Sequence, residues 1–127
     1  MTYATERWLE PRLAHVPPAL AAAVRESVAR VSRPVEPEEI PEVLAEAALR
    51  ELDDGLGKPQ GRKGALKLLA ADAILTYAFE AATVLGTDAS ALADRMGLNG
   101  EIGRRLRAVG SGSASGAPAS SSVTGAE

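Results

Sequence analysis

The sequence predicts an all-α fold: a small bundle of five or six helices around a central hydrophobic helix, followed by a flexible tail. Three observations lead there. Residues 64–85, GALKLLAADAILTYAFEAATVL, are the longest apolar run and are apolar around most of a helical circumference. Flanking segments carry apolar residues at helical spacing and are separated by proline and glycine clusters. The last stretch, GSGSASGAPASSSVTGAE, has almost no hydrophobic bulk and one charge, Glu127. The expected organisation is a helical bundle domain over 1–109 and a flexible Gly/Ser/Ala-rich tail over 110–127.

Taken in order, Thr5 is positioned to cap a short first helix through Glu6, Arg7, Trp8 and Leu9, with Pro11 ending or kinking it. His15, the only histidine, falls in a connector before Pro17 and Pro18. Pro18 suits the first turn of a second helix reaching Val31, whose seam is Leu20, Val24, Val28 and Val31. Pro34 and Pro37 then interrupt the pattern. A third helix begins near 38–41, runs through Val43, Leu44, Ala47, Ala48 and Leu52, and ends by Gly55. Between Glu36 and Asp54 there are eight acidic residues and one basic residue, Arg50. A solvated acidic face is the expected meaning.

The central helix follows. Asp72, Thr76, Glu80 and Thr83 recur at i, i+4, i+8 and i+11 and make one polar stripe, while apolar residues point in every other direction. That pattern predicts a helix packed on several sides. The run is long enough to span a bilayer, but Lys67, Asp72 and Glu80 lie within it. Each central charge costs roughly 2.5 to 3.5 kcal/mol on insertion, so no membrane association is expected. The N-terminal MTYATERWLEP lacks the continuous apolar segment of a signal peptide, and a cytoplasmic location is the expectation. Beyond Gly86, Thr87 or Asp88 caps a short helix through Leu92 and Met96. Asn99 caps another, with Ile102, Leu106 and Val109 on one face.

Hydrophobic content is 46% with only 3% aromatics, so the core must be built from thin side chains. A domain of this size buries only about 60 to 70% of its unfolded surface, which favours recruiting a second subunit. The expected function is a non-catalytic interaction protein, a homo-oligomer or a module docking on a protein partner, with Trp8, Ala78 and Ala81 as interface candidates. Two alternatives rest on positive charge. Lys58, Arg62, Lys63 and Lys67, in the basic loop 58–67, lead into the central helix, and Arg62, Lys63 and Lys67 are the candidate anion-binding residues. These same groups can instead face the acidic third helix across a short connection. The segment 88–109 has the outline of a helix-turn-helix, with Arg104, Arg105 and Arg107 as nucleic-acid candidates. It departs from that motif at Gly103, where an apolar packing residue is expected, and the chain's formal net charge of -3 argues against phosphate binding.

Catalysis is not expected. The chain has no cysteine, and His15 has no carboxylate at helical ligand spacing. Asp72 and Glu80 share a face but stand about 12 Å apart along it. No metal or cofactor is expected, an all-carboxylate Mg²⁺ site being the remaining option.

Overall fold

The structure, a computed structural model, describes residues 2–57, 61–97 and 99–116. The described residues form the helices α1 (Ala4–Leu9), α2 (Pro18–Val31), α3 (Ile40–Leu56), α4 (Gly61–Val84), α5 (Ala89–Met96) and α6 (Glu101–Gly116), with no strand among them. The fold is all-α. Two compact units divide the chain between Ala93 and Asp94, within α5. Lys58 and residues 117–127 of the expected tail lie outside the described residues, while α6 carries helical backbone past residue 110 to Gly116.

Local chemistry sets the helix ends. The N–H of Tyr3, not a side chain of Thr5, closes the start of α1, by donating to the Glu6 carboxylate at 3.1 Å. Thr5 lies one turn-position inside and is buried. Past Leu9 the chain tightens into a 3-10 segment over Glu10–His15 that contains Pro11. Pro18 opens α2 as expected, and Ser32 ends it, its hydroxyl donating to the Val28 carbonyl at 2.8 Å. Before α3 a single 3-10 turn, Pro37–Glu39, is closed by the Glu36 N–H on the Glu39 carboxylate at 2.8 Å.

α4 starts at Gly61, three residues before the expected start, so Arg62 and Lys63 belong to its first turn. Gly61 has φ 81°, a left-handed conformation that glycine adopts without strain. At the far end Gly86, φ 75°, forms a Schellman cap: Thr87 N–H bonds to the Ala82 carbonyl at 2.9 Å, and the Gly86 N–H reaches Thr83. Asp88, rather than Thr87, then caps α5, its Oδ1 accepting from the Ala91 N–H at 3.0 Å.

The core of the first unit lies where α4 meets α3 and, to a lesser extent, α2. Leu44, Val43, Ala47 and Ala48 from α3, Val24 and Val28 from α2, and Leu9 from α1 are buried there. α4 contributes Gly64, Ala70, Ala71, Ile74, Ala78, Ala81 and Ala82. At Gly55 a Cβ would lie 2.9 Å from the Leu68 side chain and 3.2 Å from Lys67 Cβ, so glycine lets the end of α3 approach the start of α4 closely. These helices are antiparallel neighbours, packed through small residues.

One expectation changes here. α4 is central, but it is buried along one face, not on several sides. Its inward arc is alanine with Gly64 and Ile74, whereas Leu68, Leu69 and Val84 are exposed and Leu66, Leu75 and Phe79 half-buried. Periodicity marks the polar stripe as the outer side, but the leucines that flank it read as apolar as the alanines opposite. Close approach to α3 selects the thinner side chains.

In the second unit, α6 begins at Glu101, with Gly100 accepting the first helical bond from Arg104 N–H. Asn99 thus stands one residue too early to be its cap. Gly100 approaches Arg95 so closely that a Cβ would lie 2.1 Å from the Arg95 carbonyl oxygen, which excludes any other residue without backbone movement.

Candidate functional site

Two places on the first unit gather distinctive chemistry, and they differ in character. The first is the outward face of α4. Leu69 is 57% exposed and Val84 60%. Burying one such side chain is worth roughly 1.5 to 3 kcal/mol, so several on one helix forgo a sizeable stabilisation while they face water. The stripe Asp72, Thr76, Glu80 and Thr83 lies on the same exposed side. Thr76 and Thr83 turn their hydroxyls back to the carbonyls of Asp72 and Phe79, at 3.0 and 3.1 Å, leaving the stripe less polar than its sequence suggests.

Beside this face sits Trp8. Its ring lies under the Arg12 guanidinium, 3.6 Å from the centroid, and Arg12 Nη1 also donates to the Trp8 carbonyl at 2.9 Å. Arg12 Nε reaches Glu80 of α4 at 2.7 Å, and the Tyr77 hydroxyl approaches the Arg12 carbonyl at 3.5 Å. Burial, and then the nearby Glu80 charge, push the Tyr77 hydroxyl above the usual tyrosine value. Trp8 is therefore held rigidly at the edge of the α4 face. The Arg12 link was not visible in the sequence; its one local signal is the four-residue spacing of Trp8 and Arg12.

Ala78 and Ala81 are placed differently from the expectation. Both are 0% exposed in the core of their own chain, so they cannot meet a partner. Bulky residues there test folding, not assembly. The exposed large apolar side chains of α4 are Leu68, Leu69 and Val84 instead.

The second place is a polar cleft of about 580 Å³ lined by Ser27, Arg30, Arg50, Glu51, Asp53 and Asp54. Glu51 is the surprise within the acidic run. Its side chain is only 4% exposed, with Arg30 and Lys67 each at 3.9 Å. Lys67 pairs more tightly with Asp54, at 2.7 Å, and this hydrogen bond is the main reason its ammonium is held above the ordinary lysine value. Ser27 donates to the Ala47 carbonyl at 3.4 Å beside them. The arrangement joins α2, α3 and α4 through charge. Glu51 and Asp54 each have a cation within 4 Å, and no group of three metal-ligating side chains occurs among the described residues.

Lys67 is thus committed to α3. Arg62 and Lys63 are exposed on the first turn of α4 and make no ion pair among the described residues. Of the three candidate anion ligands, Lys67 is engaged by Asp54 and Glu51. On α6, Arg104 and Arg105 both donate to the Glu101 carboxylate, at 2.8 and 2.7 Å. These bonds, that of Arg105 first, hold Glu101 below the usual carboxylate range. Arg107 is exposed and also has a partner. Gly103 is buried where a recognition helix would place an apolar anchor, with Ile102 half-buried beside it. No described helix is long and apolar enough to cross a membrane. Comparison with family models, with curated proteins and with solved structures found no match.

Proposed function

We propose that this chain is a non-catalytic helical interaction module whose recognition surface is the outward face of α4, edged by Trp8. One observation carries the reading: apart from Ile74, the buried arc of α4 is alanine and glycine, while Leu68, Leu69 and Val84 stay exposed. A helix serving only as core would do the reverse, since each leucine exchanged for alanine inside forgoes roughly 2 kcal/mol of burial. Exposed ion pairs such as Arg12–Glu80 contribute at most about 1 kcal/mol, so apolar burial supplies the affinity and the charges orient the partner.

The test is a photo-crosslinking amino acid placed at position 69 in the living cell. A defined covalent adduct to one protein species supports the reading. No adduct beyond that formed from the exposed position Glu38 would refute it.

A further inference from the structure

Resting on that reading, we propose that the surface covering α4 is the α4 of a second copy of this chain, running antiparallel about a two-fold axis level with Ala71. At 100° per residue, Arg62, Leu66, Leu69, Ala73 and Glu80 fall within an arc of about 60° on the outward face. Charge reverses along that arc. Arg62 stands in the first turn, exposed and without an ion pair among the described residues, and Glu80 stands near the other end with its side chain 43% exposed.

A two-fold interface must be self-complementary, because residue i meets j wherever j meets i. Antiparallel pairing about Ala71 places Arg62 opposite Glu80 of the second copy and Glu80 opposite its Arg62. The same operation sets Leu69 against Ala73, a large side chain against a small one, on both sides of the axis. It also brings opposite ends of the two helix dipoles together. Parallel pairing would oppose Arg62 to Arg62 and Glu80 to Glu80. Glu80 uses Oε2 for Arg12, and a carboxylate has two oxygens to offer, so a second cation can be accepted beside the first.

The experiment is native mass spectrometry of the full-length protein and of two variants, Arg62→Glu and Glu80→Arg, alone and mixed. The expected result is a wild-type dimer and, for each variant alone, dimerisation weakened about tenfold by two like-charge oppositions per dimer. The equimolar mixture should form heterodimers in excess of random pairing, since each mixed dimer restores both oppositions. Glu80→Gln, which loses the Arg12 pair without adding a like charge, should weaken dimerisation less than Glu80→Arg; an equal loss would overturn the pairing. Heterodimers at no more than the random proportion would overturn this register. A wild-type protein that stays monomeric at all concentrations would overturn the second copy as occupant, while an adduct at position 69 to another protein would leave the interaction surface standing.

Discussion

Thr5 shows how much a single buried atom can decide. Its residue is 0% exposed and its hydroxyl has no hydrogen-bond partner among the described residues. An unmet buried hydroxyl costs roughly 1 to 3 kcal/mol, so Thr5→Val, which keeps the shape and drops the hydroxyl, should stabilise the protein by about 1 kcal/mol and raise Tm. Calorimetry checks this, and a fall in Tm would show that the hydroxyl is satisfied. In the sequence Thr5 reads as a cap, because threonine before an acidic first turn has that meaning more often than burial. Glu51 was hidden in a similar way: one glutamate in an acidic run carries no mark of being inside. Lys67 was partly legible, since a basic residue just after the turn faces an acidic helix just before it.

The Lys67 contacts also set a pH response. A lysine held above its ordinary value of 10.5 contributes stability that is complete below that value and is lost as pH rises through the folded value. Tyr77, raised from 10.0, acts in the same direction. Denaturation midpoints should therefore hold steady to about pH 10 and fall above it, with Lys67→Gln removing part of the slope and Tyr77→Phe another part. A slope identical in both variants would place the alkaline sensitivity elsewhere.

Among the elements, α4 separates what periodicity reveals from what it conceals. Its existence and length follow from the apolar run, and its Schellman cap from Gly86. Its orientation does not, because alanine and leucine both count as apolar and the eye puts the larger one inside. The missing signal is the set of small residues, Gly55 with Ala47 and Ala48 on α3, matched by Gly64, Ala71, Ala78 and Ala82 on α4. Overpacking that seam is costly: at concentrations low enough for the wild type to be monomeric, Ala78→Leu should destabilise the protein by about 1 to 3 kcal/mol, whereas Leu69→Lys should change Tm little. Thermal melts of the two variants decide which arc is core. The helices α5 and α6 were each outlined by their apolar spacing and flanking glycines, but Glu101 as the partner of Arg104 and Arg105 emerges only from geometry. Because Glu101 is held below the usual carboxylate range, its contribution is complete above the ordinary glutamate value of 4.5 and disappears as pH falls through the lower folded value. Helicity of α6 should drop in that acid window, and Glu101→Gln should abolish the step.

At the scale of the whole molecule, a thin alanine core and an uncovered row of large side chains describe one arrangement from two sides. Small domains have little stability to spare, and this one leaves Leu68, Leu69 and Val84 of α4 on its surface. Association then becomes part of stability, and Tm should rise with protein concentration, by mass action. The most direct measurement is sedimentation equilibrium of the wild-type protein beside Leu69→Lys, over a range of concentrations. The wild type should approach twice the monomer mass while Leu69→Lys stays at one, with the two sharing the same helical content. Equal masses for both proteins at every concentration would contradict the account.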